Sequence, residues 1–386
     1  MVTGVYAPET SGASLQCRSL VRALRDRVDF TVLTTSTDPA LPWNSIVDDT
    51  RVRRITVDPN SRVSKAIAIE RMASSFLELA SDFDIVHLHG FSQKSVLVIA
   101  LAKLRGKKIV IKLTSVGHDD PESIRAKGRL LWTAYRQADR YIGVTPRFAD
   151  GFAPTGLDQR RFVFIPNGVD LDRFKPSSVD LRAEFQNQLQ LPIGDPVVLF
   201  VGFFSPEKNP DVLFDAWLSL HERGVRSTLV LVGATQGPYY EIDAGIADRI
   251  KTKATKRGVI ESVVFVEAAD KIEHYFRAAD VFVLPTAREG LPNVLLEAMA
   301  SSVPPVITRL EGVTDWIVVP GVTGELVPDI DSKAFADAIE GLLASPERRK
   351  AMGSAARAHV AANFSLAITA QETFEVYQEL LKGHST

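Results

Sequence analysis

Short β-branched runs, separated by longer segments of helical periodicity, occur in two successive series along this chain. The first series comprises Val2–Tyr6, Phe30–Thr34, Arg53–Thr56, Ile85–His87, Ile109–Leu113, Tyr141–Val144 and Phe162–Ile165. A helical pattern at Ser14–Leu24 places Leu20, Val21 and Leu24 on one face. The second series is Val197–Val201, Thr228–Val232, Val263–Val266, Val281–Leu284 and Pro305–Thr308, interleaved with helical patterns at Asp211–Arg223, Tyr240–Arg257 and Ile272–Ala279. Most of these runs are nearly continuous in apolar residues, which is how strands buried on both faces read. Strand–helix–strand order with such strands predicts parallel sheets covered by helices, an α/β class. The restart predicts two Rossmann-like domains, as 386 residues also exceed one ordinary core.

The boundary is expected near Phe174–Ser178, where Lys175-Pro176-Ser177-Ser178 follows the turn chemistry of Pro166-Asn167-Gly168-Val169-Asp170. This gives an N-terminal domain over 1–175 and a second over 176–365. Leu366–Leu381 reads as an amphipathic helix through Ile368, Phe374, Val376, Tyr377, Leu380 and Leu381. No apolar run approaches the ~20 residues of a bilayer span, and Met1–Val5 lacks a basic region followed by an apolar segment. Cys17 is the single cysteine, so no intramolecular disulfide or cysteine metal cage can form. A cytoplasmic setting is expected.

The net charge of −2 is unevenly spread: residues 1–175 hold 26 Lys and Arg against 19 Asp and Glu, the remainder 19 against 28. A basic first half suggests an anionic partner there. Arg125–Arg136, with Leu130, Leu131, Trp132 and Tyr135 among its cations, reads as a core-packed helix with a solvated basic face, and peripheral contact with the inner face of a membrane is the alternative. No Gly-x-Gly-x-x-Gly follows Val2–Tyr6 or Val197–Val201, and no P-loop motif is present, so a dehydrogenase or P-loop enzyme is unsupported.

The most informative segment is Pro285-Thr286-Ala287-Arg288-Glu289-Gly290-Leu291-Pro292-Asn293-Val294-Leu295-Leu296-Glu297. It leaves the carboxyl end of a strand, turns at Glu289-Gly290 and enters a helix with Pro292 near its start. Parallel sheets bind ligands at that end, where a helix N-terminus can meet a diphosphate without a metal. Glu289 and Glu297 stand eight positions apart and can address different parts of one extended ligand. An ionised carboxylate, acceptor only, suits a vicinal sugar diol.

With this Glu-x7-Glu spacing the sequence resembles the retaining, GT-B-fold glycosyltransferases of family 4, also called group 1. The resemblance extends to Glu9-Thr10-Ser11-Gly12-Ala13, Asp84–Gly90, Asn167–Phe174 and Val201–Asn209, in order and at similar spacing. It implies two Rossmann-like domains facing across a cleft, with the helix over 366–381 returning to the first. It also implies transfer of a sugar from a nucleotide-diphosphate donor, a UDP-sugar above all, to a glycan, lipid-linked or small-molecule acceptor. By the same resemblance Glu297 binds the donor ribose and Glu289 the transferred sugar. Gly290, Leu291 and Asn293 offer backbone N–H groups, Lys208 neutralises the leaving diphosphate with Arg288 as a further base, and Gly12 lets backbone approach donor or acceptor. His118 is the expected sugar-contacting histidine, although it lies beyond the end of Ile109–Leu113, where Thr114 or Ser115 could take its place.

Phe203 stands where the family carries Arg after Val201-Gly202, and Ser302 where a Gly is common. His87 and His89 share a strand face and read as core or rim residues rather than a metal pair. No metal, cofactor or nucleic acid is expected. A sugar-nucleotide epimerase of the same architecture and an inactive nucleotide-sugar binding subunit are the alternatives. Closure of the cleft about Phe174–Ser178 is expected to accompany donor binding.

Overall fold

A computed structural model describes residues 1–236 and 242–382. The chain divides into two compact units, Met1–Gly168 with Leu366–Thr386, and Val169–Ser365.

The first unit runs β1 (Val2–Thr3), α1 (Gly12–Leu24), β2 (Thr31–Ser36), β3 (Asn44–Val47), β4 (Thr50–Thr56), α2 (Arg62–Leu79), β5 (Ile85–His89) and α3 (Gln93–Leu104). It continues through β6 (Lys108–Leu113), α4 (Pro121–Ala126), α5 (Arg129–Tyr135), β7 (Arg140–Gly143), α6 (Phe152–Thr155) and β8 (Phe162–Phe164). Among the described residues these strands form one sheet in the order β3-β4-β2-β1-β5-β6-β7-β8, parallel except for β3. The β3–β4 hairpin turns through Asp48 and Asp49, both at left-handed φ of 50° and 63°. That pair of positive φ values closes a two-residue hairpin without the usual glycine, which is why the sequence pattern concealed it. Arg18 Nε and Arg22 Nη2 donate to the Asp48 carboxylate at 2.5 and 2.7 Å and tie the turn to α1.

The second unit runs α7 (Val179–Gln188), β9 (Val197–Val201), α8 (Pro210–Glu222), β10 (Thr228–Val232), α9 (Ala244–Lys256), β11 (Val263–Val266), α10 (Ile272–Ala278) and β12 (Val281–Leu284). Then come α11 (Asn293–Ala300), β13 (Pro305–Thr308), β14 (Glu325–Val327), α12 (Ser332–Leu343) and α13 (Pro346–Asn363). Its sheet, parallel throughout, has the order β11-β10-β9-β12-β13-β14. The start of the helix expected over Tyr240–Arg257 falls on 240–241, outside the described residues.

The last helix, α14 (Leu366–Lys382), packs within the first unit. Its Ala370, Val376, Tyr377 and Leu380 join Leu20 and Leu24 of α1 and Val110 and Ile142 of the sheet in one core. Gly168 allows this: a Cβ there would meet the Leu366 Cα at 2.6 Å. Thr369 Oγ1 donates to the Pro166 carbonyl at 3.0 Å.

The Arg125–Arg136 stretch is not one helix. Gly128, at φ 120°, breaks it between α4 and α5. Tyr135 is fully buried, yet Leu130 stays 70% exposed, because five positions along the same helix α5 put the two on different faces. His87 and His89 are buried in β5 with rings stacked at 4.6 Å. Burial holds both well below the ordinary imidazole range, with the neighbouring Lys112 ammonium adding to the effect. His87 Nδ1 is 2.6 Å from the Tyr377 hydroxyl. Both histidines are core residues, and His87 ties α14 to the sheet.

Candidate active site

Strand order decides where the second unit can hold a ligand. From β9 the chain proceeds outward to β10 and β11, whereas β12 leads the other way to β13 and β14. The adjacent pair β9–β12 is therefore the topological switch point, beyond whose carboxyl ends open parallel sheets hold their ligands. Those loops carry Lys208 and Glu289.

Several bonds lock the two loops together. The Ala287 N–H donates to the Glu207 carbonyl at 2.7 Å, and Thr286 Oγ1 donates to the same oxygen at 3.3 Å. Asn209, at a left-handed φ of 48°, donates from Nδ2 to the Pro285 carbonyl at 2.9 Å. Lys208 Nζ then bonds directly to the Glu289 carboxylate, the two side chains 23% and 12% exposed. Beside them Arg288 pairs with Glu207 at 2.8 Å. Each expected phosphate-binding cation thus has a carboxylate partner within its own site. Gly233 follows β10 and passes so close to the end of β9 that a Cβ on it would fall 1.8 Å from the Gly202 carbonyl oxygen. Only glycine can stand there.

Beyond Glu289, Gly290 and Leu291 are buried, and Pro292 caps α11, whose first residue is Asn293. Glu297, one turn further into α11, is partly buried. Burial pushes its carboxyl up to about 7; Arg173 opposes this, and Glu273 reinforces it. Arg173 is largely committed elsewhere, since its Nε and Nη2 both bond Glu273 at 3.0 and 2.9 Å. Burial thus works against the ionised form of Glu297 that accepting from a diol requires. The helix ends at Ser301, and Ser302 takes a left-handed φ of 59°. Glycine, which the family resemblance leads one to expect at this position, adopts that conformation without strain.

Gly12 and His118 belong to the first unit. Gly12 is exposed as the first residue of α1, behind the Ser11 cap, in the loop after β1. That sheet has its own switch point between β1 and β5. His118 is exposed on the turn after β6. The turn is organised by buried Asp119, whose carboxylate accepts the Thr114 N–H at 2.8 Å, the Thr114 hydroxyl at 2.8 Å and the Ser115 N–H at 3.0 Å. Burial nevertheless moves Asp119 up to about 6. Thr114 therefore spends its backbone and hydroxyl donors, and Ser115 its backbone N–H, on shaping the loop.

Arg173, Glu207 and Asn209 lie in the segments that carry the family resemblance, without a role read for them there. Asp119 and Glu273 lie outside those segments; an Asp next to His118 is the signal for the first, and nothing local announces the second. Among the described residues no three His, Cys, Asp or Glu side chains are grouped to hold a metal ion.

The comparison with known proteins is direct. The model for glycosyl transferases group 1 matches residues 182–359, and that for a glycosyl transferase 4-like domain matches 11–168. A GDP-mannose-dependent alpha-(1-6)-phosphatidylinositol monomannoside mannosyltransferase of Mycolicibacterium smegmatis is 32% identical over 305 residues, covering 74% of each chain. The chain belongs to the group 1, family 4 glycosyltransferases. D-inositol 3-phosphate glycosyltransferase 2 of Catenulispora acidiphila is 29% identical, across 97% of this chain and 91% of that one. The structure of Anabaena HepE in complex with UDP-glucose superposes with a TM-score of 0.79 at 20% identity, covering 98% of this chain and 99% of the other, and has the same GT-B fold. This family member is therefore a glycosyltransferase built from two parallel-sheet domains.

Proposed function

We propose that this glycosyltransferase moves a sugar, with retention of anomeric configuration and without a metal, from a nucleotide-diphosphate donor to a hydroxyl acceptor. The observation that carries the proposal is the Lys208–Glu289 ion pair at the β9–β12 switch point, with Glu297 eight residues along. An incoming diphosphate competes for the Lys208 ammonium. That exchange releases Glu289 to accept from the sugar hydroxyls, so donor binding and assembly of the sugar contacts are coupled. The α11 N-terminus adds a favourable field for the phosphates, and Glu297 takes the ribose diol. Arg288, held by Glu207, is the second cation in reach of the same loops.

In the reaction the bond from the anomeric carbon to the β-phosphate oxygen breaks, and the acceptor oxygen attacks the same face. The acceptor's proton passes to the departing phosphate oxygen. Lys208 stabilises the negative charge that develops there. A UDP-sugar is the first donor to examine, given the UDP-glucose bound by the structural relative. The names of two sequence relatives make an inositol-bearing acceptor the first choice. Location on the cytoplasmic side, in contact with an anionic surface, is consistent with the basic first half.

The test is a panel of UDP-, GDP- and ADP-sugars with inositol 3-phosphate, glycans and lipid-linked acceptors, the product's anomeric configuration being read by NMR. A product of inverted configuration refutes retention. Epimerised donor in the absence of acceptor favours an epimerase, and tight donor binding without transfer to any acceptor favours an inactive binding subunit.

A further inference from the structure

The first unit carries a surface pocket of about 620 Å³ at the edge of its sheet opposite the Gly12 and His118 loops. Lys108 opens β6, Arg140 opens β7 and Arg161 immediately precedes β8, so the pocket lies at the amino ends of these strands. Gly12 and His118 follow carboxyl ends. The volume is within the range of small-molecule sites.

The charges lining the pocket are not balanced. Lys103 pairs with Asp139 at 3.3 Å and Arg140 with Glu379 of α14 at 3.8 Å. Asp139 is further engaged by the Ile109 N–H at 2.8 Å. Asp158 is claimed by Arg160, which donates to it from the backbone N–H at 3.0 Å and from Nη2 at 2.9 Å. This leaves Lys108 and Arg136 on the wall with no ion pair to an acidic side chain among the described residues, and Arg161 sharing Asp158 with Arg160 only at longer range. Arg161 is held in place by the carbonyls of Arg136 and Ala138, each 3.3 Å from its Nη1, which leaves its other N–H groups available. Lys108 and Arg161 at the amino ends of β6 and β8, with Arg136 at the end of α5 and Arg161 anchored by backbone, form a concave site for a multiply charged anion.

We infer that this pocket is a second anion-binding site, separate from the donor and acceptor regions, that takes a phosphate or pyrophosphate group. The ligand's phosphate accepts from Lys108, Arg136 and Arg161 at once. The chemistry fits a free phosphorylated small molecule or the phosphate of an anionic lipid headgroup.

The test uses full-length protein with Lys108→Gln/Arg136→Gln and, as a charge-conserving control, Lys108→Arg/Arg136→Lys. Calorimetric titration with inorganic pyrophosphate is compared across the three proteins. The Lys208 region is the same in all, so the difference isolates the pocket. The wild type and the control are expected to show a binding event that weakens at least tenfold in the Gln pair, with melting temperature and sugar transfer unchanged. In parallel, sedimentation with phosphatidylcholine vesicles containing phosphatidylglycerol separates the sources. Vesicle binding lost in the Gln pair identifies a lipid headgroup; pyrophosphate binding without vesicle recruitment identifies a free ligand. Equal behaviour of wild type and Gln pair toward both probes, or equal loss in the control, overturns the site.

Discussion

With Glu297 on the donor ribose, as proposed, donor affinity should depend on pH, and the direction follows from its surroundings. Burial raises its carboxyl from 4.5 to about 7, beyond what Arg173 offsets. A ribose diol that donates two hydrogen bonds needs the carboxylate, so binding selects the ionised fraction and expels a proton. With a titration at about 7, that fraction falls from about ten-elevenths at pH 8 to about one-eleventh at pH 6, and affinity should drop about tenfold. The assay is calorimetric titration with UDP-glucose, whose pyrophosphate is esterified at both ends and does not titrate in this window. Repeating it in buffers of different ionisation enthalpy should reveal close to one proton released per donor bound at pH 6. Glu297→Gln should bind more weakly at pH 8 and show no slope. The same shift acts on folding: a raised acid pKa means that the native state keeps its proton more readily than the unfolded chain. Stability is therefore lost as pH rises from about 4.5 to about 7. Replacement by Gln should raise the melting temperature more at pH 8 than at pH 5. A wild-type affinity that is flat from pH 6 to 8, or a Gln variant that keeps the slope, refutes the reasoning.

Lys208→Ala should lower turnover by about 10²–10³-fold, the scale for losing one group that stabilises developing charge, and Glu289→Ala should reduce turnover more than donor affinity; steady-state kinetics that show only a raised KM for both count against the coupled exchange. Activity should persist in excess EDTA, and loss restored by magnesium or manganese would show that Lys208 and Arg288 do not suffice for the phosphates. Ser302→Gly should stabilise the protein by about 0.5–1 kcal/mol by relieving a left-handed serine, visible as a melting increase of about 2 °C. Tyr377→Phe removes the partner of buried His87 and should cost about 1–3 kcal/mol in denaturant unfolding. Unchanged stability would mean that α14 is not held by that bond.

Much of the chain was legible because the signals were local. The strands Val197–Val201, Thr228–Val232, Val263–Val266, Val281–Leu284 and Pro305–Thr308 form as their apolar runs indicate, since a strand buried on both faces needs a continuous run wherever it lies in the sheet. The turn that carries Glu289 and the helix that carries Glu297 were likewise readable from Gly290, Pro292 and their spacing. The hairpin at Asp48-Asp49 was not, because side chains from α1 stabilise a turn that its own residues do not advertise. Nor was the break at Gly128 within a run of good helix formers.

By itself, the amino-acid sequence determined two parallel α/β series, membership of a glycosyltransferase family and the identity of the two glutamates. Tertiary structure alone decided that β9 lies beside β12, and so that Lys208 meets Glu289 across 81 positions of chain. It decided that burial raises the Glu297 carboxyl, and that Lys108, Arg136 and Arg161 line one pocket. The physical reason is the range of the forces involved. Periodicity and turn chemistry act over a few residues, whereas strand order, desolvation and the sum of charges at a point depend on groups brought together only by folding.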